Sequence, residues 1–139
     1  MNTAYPYTLE PQNSGGYLVQ FSDFPEAFTE GQTMEEAAFN AAEVLSLVIE
    51  QRLADGQPVP PPSSQGTHPV AYPQATVQAA LLMRHAREDQ GRTIADLARA
   101  LHTSWPSVQR LEHPRSNTTL KQLERAAAAL GKQLTITMM

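Results

Sequence analysis

Residues 58–73, PVPPPSSQGTHPVAYP, hold six prolines and no formal charge, and they constrain the chain more than any other stretch. Proline fixes φ and donates no backbone hydrogen bond, so no helix runs unbroken through this segment. The expectation is a semi-extended linker over 58–75, with room for a short edge strand within HPVAY. It separates a module at 1–57 from another at 76–139.

Charge divides at the same place. Residues 1–57 carry nine acids and the single base Arg52, a net −8, whereas 76–139 carry nine bases and five acids, a net +4. The formal total of −4 describes neither part. Opposite signs on two modules point to two different partners. With no cysteine there is no disulfide framework, thiolate metal site or cysteine nucleophile. No apolar run reaches the roughly 18 residues of a membrane span, and MNTAYPYTLEPQ lacks the basic and apolar regions of a secretory signal. A cytoplasmic protein is expected by default.

In the first module, YPYTLEP and YLVQF have the composition of two strands, and Gly15 and Gly16 in QNSGG suit a tight hairpin. A third short strand is expected around Phe28. Thr33 and Glu36 stand at capping-box spacing before a helix in which Ala38, Ala41, Ala42, Leu45, Val48, Ile49 and Leu53 recur at helical intervals. Gly56 and Pro58 end it. One helix over one face of a small sheet follows, a module marginal alone at this size.

The second module reads as helices from about Thr76 to Gln90, over IADLARAL behind Thr93, over WPSVQRLE behind Ser104, and from about Thr119 to Leu130 before Gly131. Pro106 falls in a first turn, where its missing N–H costs nothing. The last residues alternate, with Leu134, Ile136 and Met138 on one side, as in a strand. A terminal strand without a partner exposes an edge, and the same strand of a second chain would satisfy it with two-fold symmetry.

Ile94, Leu97, Ala98, Leu101, Val108 and Leu111 have the spacing of a helix-turn-helix core, Ala98 being small where the next helix crosses. The stretch TIADLARALHTSWPSVQRLEHPRSNTTLKQLERAAAALGKQL resembles the helix-turn-helix of phage repressors. That resemblance implies that Trp105, Pro106 and Arg110, with Ser107 and Gln109 nearby, approach base edges. Arg110 is a bidentate donor suited to guanine. Arg115, Ser116, Asn117 and Lys121 fall where such domains hold backbone phosphates. The turn position usually filled by glycine is His102, which must then take a left-handed backbone.

The acidic module offers little chemistry: it has no histidine, no phosphate-cradling loop and no convincing metal cluster. No enzyme, cofactor or metal is expected. Asp23 and Glu26 in SDFPEAFTEG read as turn-shaping acids. Excess negative charge beside Tyr17, Phe21, Phe24 and Phe28, read as exposed aromatics, suits a basic protein partner.

The ordered set G-G-Y-x-V-x-F, D-x-P-E and G-x-T-x-x-E-A within YPYTLEPQNSGGYLVQFSDFPEAFTEGQTMEEA, followed by GQPVPPPS, the helix-turn-helix and LGKQLTITMM, resembles the HicB antitoxin family over essentially the whole chain. This resemblance implies an α+β protein. Its first module would be a β-β-β-α(-β) partial ribonuclease-H-like unit without a nuclease site. After the Pro-rich linker would come an all-α helix-turn-helix domain ending in a dimerising strand of Leu134, Ile136 and Met138. The implied partners are a small basic HicA-like toxin that cleaves messenger RNA, and double-stranded operator DNA. The acidic charge of the first module puts Asp23, Phe24 and Glu26, with Tyr17 beside them, on the expected toxin-facing surface. A homodimer or higher even oligomer is expected. The alternative is a stand-alone repressor whose first module senses a small ligand in an apolar pocket.

Overall fold

The first local event is a hairpin. Thr8–Pro11 and Tyr17–Phe21 pair antiparallel, Leu9 opposite Val19, and the chain reverses through Gly15 at φ 98° and Gly16 at φ 76°. A Cβ on Gly16 would lie 2.7 Å from the Gly31 carbonyl oxygen, so the turn needs glycine for space as well as for φ. In the computed structural model, which describes all of residues 1–139, the strands are β1 (Tyr5–Pro6), β2 (Thr8–Pro11), β3 (Tyr17–Phe21), β4 (Phe24–Gly31) and β5 (Val70–Ala71). The sheet β2-β3-β4 is antiparallel, with an irregularity between Gln20 and Phe21.

Helix α1, Met34–Ala54, opens with Thr33 accepting the Glu36 N–H at 3.1 Å. The reciprocal bond differs from a capping box, because the Glu36 carboxylate receives the N–H of Gln32. The buried face is Ala37, Ala41, Leu45, Ser46, Ile49 and Leu53. Ala38, expected inside, is exposed, and Ala37 takes its place. Gly31 explains this: its backbone lies so near the start of α1 that a Cβ would sit 2.4 Å from the Ala37 nitrogen. Ser46 is buried because its hydroxyl accepts the Gln74 N–H at 2.8 Å.

The aromatics expected at the surface divide. Phe21 and Phe24 are core residues, 2 % and 0 % exposed, against Tyr7 and Tyr5 at ring-centroid distances of 5.5 and 5.0 Å. Phe28 is exposed and Tyr17 half-buried.

The Pro-rich segment is docked rather than free. Val59 is buried, the Tyr5 hydroxyl donates to the Pro60 carbonyl at 2.7 Å, and Tyr7 N–H donates to the Pro69 carbonyl at 2.9 Å. β5 pairs antiparallel with β1, Tyr5 opposite Ala71. Proline forbids helix, but its carbonyls remain acceptors, and the Tyr5 hydroxyl and the Tyr7 backbone amide tie the segment down as a strap. The chain accordingly divides into compact units at Met1–Gln78 and Ala79–Met139, within helix α2 (Ala75–Asp89).

In the second unit, α3 (Ile94–Ala100) and α4 (Trp105–Leu111) are capped by Thr93 and Ser104 as the sequence suggests, and α5 (Leu120–Ala129) begins one residue after Thr119, which is its N-cap. Leu97, Ala98, Val108, Ala86 and Leu130 form one apolar cluster, and Met83, Leu111, Leu123, Ala126 and Ala127 another. Residues 132–139, expected as a strand, have no regular structure. A β-ladder needs a second strand, and this unit has none. Leu134 packs partly on the second cluster, while Ile136 and Met138 are 69 % and 90 % exposed.

Candidate functional site

The second unit presents α4. Ser104 is its N-cap, Pro106 lies in the first turn, and Val108 and Leu111 anchor the inner face at 0 % and 9 % exposure. The outward positions are Trp105, Pro106, Gln109 and Arg110, with Ser107 half-buried. Polar contacts run along this face: Ser104 Oγ is 2.9 Å from Ser107 Oγ, and the Arg110 guanidinium donates to Ser107 Oγ at 3.2 Å. His102, between α3 and α4, has φ 53°, the left-handed geometry that the turn demands.

After α4, Ser116 Oγ donates to the Arg110 and His113 carbonyls, tying down the loop that leads to α5. Arg115, Asn117 and Lys121 are exposed, and Asn117 is the second non-glycine residue with positive φ, at 53°. An open cleft of about 330 Å³ lies between α4 and the start of α5, lined among others by Ser107, Arg110, Asn117, Thr119, Gln122 and Arg125. Arg125 was not singled out from sequence. Its position four residues after Lys121, one helical turn along, was the available signal.

Helix α4 is fixed from its inner side by an ion cluster. Arg87 of α2 donates to both carboxylate oxygens of Glu112 at 2.6 and 2.9 Å, and Arg84 lies 3.5 Å away. Glu112 is the C-cap of α4 and 5 % exposed. The bidentate carboxylate holds the Arg87 guanidinium above its ordinary range. Nothing in the local pattern of the sequence marks this pair.

In the first unit, Glu26 and Asp23 already have partners. Arg52 donates Nε and a terminal nitrogen to the two oxygens of Glu26, both at 2.8 Å, and a third N–H to the Pro58 carbonyl at 3.1 Å. The hydrogen bonds from Arg52 hold the Glu26 carboxyl below its usual range. Beneath, the same guanidinium lies 4.9 Å from the centre of the Phe24 ring. Asp23 accepts Ser63 N–H and hydroxyl at 3.0 Å each. The D-x-P-E loop therefore clamps α1 and the strap. Phe24, proposed from sequence as a protein-binding aromatic, is the buried floor of that clamp and offers no surface. Tyr17 remains half-exposed.

No helix is long and apolar enough to cross a membrane. The fold and the exposed face of α4 define a two-unit protein, an acidic α+β unit followed in sequence by a helix-turn-helix unit. Residues 4–77 match the family of HicB_like antitoxins of bacterial toxin-antitoxin systems, and residues 83–136 match the helix-turn-helix family. The chain is 36 % identical over 135 residues to Antitoxin HicB 1 of Photorhabdus laumondii, covering 97 % of this chain and 86 % of that one. It is 32 % identical over 136 residues to Antitoxin HicB of Escherichia coli K12, covering 96 % and 98 %. A shorter match, 41 % over 56 residues, is to an uncharacterized 14.9 kDa protein in the rep-hol intergenic region of Haemophilus phage HP1, covering 40 % of this chain and 41 % of that protein. The chain belongs to the HicB-like antitoxin family and carries a helix-turn-helix DNA-binding domain.

Proposed function

We propose that this chain neutralises a small, basic, messenger-RNA-cleaving toxin of HicA type through its first unit and represses its own operon through its second. The observation that carries this reading is the division of charge between the units, −8 over 1–78 and +4 over 79–139. A toxin surface made for phosphates is positive, and the acidic unit is its electrostatic complement. The protein acts by binding, without a cofactor, in the cytoplasm. The first unit is read as a partial ribonuclease-H-like fold in which the nuclease site is absent.

On the DNA side, Arg110 reads a guanine, Trp105 and Pro106 make apolar contact, and Ser107 and Gln109 complete the face. Arg115, Asn117 and Lys121 hold phosphates, with Arg125 across the same cleft. On the toxin side, Tyr17, Asp23 and Glu26 stand at the surface, supported by Phe24 from below. The tails pair in a homodimer or a larger even oligomer, Leu134, Ile136 and Met138 facing one another, so that two heads meet a palindromic site.

The test is a native pull-down with a C-terminally tagged chain, read by intact mass, followed by titration of the DNA upstream of its gene. A stoichiometric small basic protein and a discrete operator support the reading. A chain that purifies alone and binds all DNA equally overturns it.

A further inference from the structure

The clamp on Asp23 and Glu26 raises the question of where a basic partner would find exposed acid beside exposed apolar anchors. The answer on this unit is the solvent face of α1. At 100° per residue, Glu36, Phe39, Glu43, Leu47 and Glu50 fall on one stripe opposite the buried face of Ala41, Leu45 and Ile49. Phe39 and Leu47 are 66 % and 62 % exposed, about 12 Å apart along the axis, with the exposed Glu43 between them. A helix packed against a sheet on one side has no folding reason to carry a phenylalanine and a leucine on the other. Phe28, by contrast, is the one large apolar residue exposed on its strand.

We propose that this α1 stripe is the energetic centre of the docking surface for the toxin, Phe39 and Leu47 entering apolar recesses on the partner while Glu36 and Glu43 face its basic side chains. The inference rests on the antitoxin reading and deepens it. Tyr17, Asp23 and Glu26 become peripheral, because Glu26 is ion-paired with Arg52 and the Asp23 carboxylate is engaged by the Ser63 N–H and hydroxyl. Buried aromatic and aliphatic anchors carry most of an interface's affinity, whereas surrounding charges set the rate of encounter and its salt dependence.

The experiment titrates the full-length chain with the purified HicA-type protein encoded beside its gene, at low and moderate salt. The variants are Phe39→Ala with Leu47→Ala, Glu43→Lys, and Asp23→Ala with Glu26→Gln, and circular dichroism melts check that each is folded. The double apolar variant weakens binding by at least about 30-fold at both salts. Glu43→Lys weakens it chiefly at low salt through slower association. The Asp23/Glu26 pair changes it by less than about 5-fold. Unchanged affinity in the two α1 variants, with a large loss in the Asp23/Glu26 pair, overturns the inference and leaves the antitoxin reading standing. So does an α1 change that alters only the chain's self-association in light scattering, which would assign the stripe to a second copy. A wild-type chain that does not bind the protein defeats both.

Discussion

Arg87 and Glu112 join α2 to the end of α4 in the helix-turn-helix unit through two hydrogen bonds of 2.6 and 2.9 Å, with Glu112 5 % exposed. Arg84 shares that carboxylate, so one buried acid balances two guanidinium groups that are themselves mostly covered. Glu112→Ala removes the carboxylate that both guanidinium groups share and is expected to cost about 3–5 kcal/mol. Chemical denaturation of the full chain measures it. A loss below about 1 kcal/mol would mean that water replaces the carboxylate, and that the pair does not fix α4.

Gly31 makes the opposite kind of prediction, one of space. A Cβ there would meet the backbone of Ala37 at 2.4 and 2.7 Å, and backbone cannot rotate away. Gly31→Ala is expected to push α1 off the sheet at a cost of about 1–3 kcal/mol. Thermal unfolding compared with wild type decides it, and an unchanged midpoint would show that α1 can shift freely.

His102, at φ 53°, adopts a conformation that costs an ordinary residue about 1–2 kcal/mol. His102→Gly removes that strain but adds freedom to the unfolded chain, so a net gain of about 0.5–1 kcal/mol is expected. A stability loss in the denaturation curve would mean that the imidazole makes a compensating contact.

Glu26 gives a pH dependence whose sign is fixed. Its carboxyl titrates below the usual glutamate range in the folded chain because Arg52 donates hydrogen bonds to it. The unfolded chain therefore binds more protons, and stability rises with pH in this range. The contribution is fully present above about 4.5 and is lost as pH falls through the depressed folded value. Thermal midpoints measured from pH 6 down to pH 3 are expected to fall less steeply for Glu26→Gln than for wild type. Equal slopes would assign the acid loss to other carboxylates.

The strap predicts a local opening. Asp23 holds Ser63 by two hydrogen bonds, and Asp23→Ala releases them. Hydrogen exchange at Ser63 is expected to accelerate, with cleavage by a nonspecific protease appearing between residues 61 and 68, while the amides of α3 and α4 keep their protection. Unaltered exchange at Ser63 would show that Tyr5 and Val59 hold the strap by themselves.

What the sequence determined by itself were features governed by neighbours within a few residues. Thr93 and Ser104 cap their helices because a side-chain oxygen meets an amide three residues on, Gly15 and Gly16 turn the hairpin because they accept positive φ, and the helix-turn-helix core follows from its spacing. The opposite charges of the two halves needed only counting. Tertiary structure decided the rest, because those contacts join residues far apart in the chain. Arg52 reaches Glu26 across 26 positions, Asp23 reaches Ser63 across 40, and Arg87 reaches Glu112 across 25. An acid's type says that it is charged, and only the fold says whether that charge is already matched. Phe24 and Phe39 show the same for apolar groups: equal in composition, one lies beneath a guanidinium at 0 % exposure and the other faces solvent at 66 %, because the sheet packs on only one side of α1.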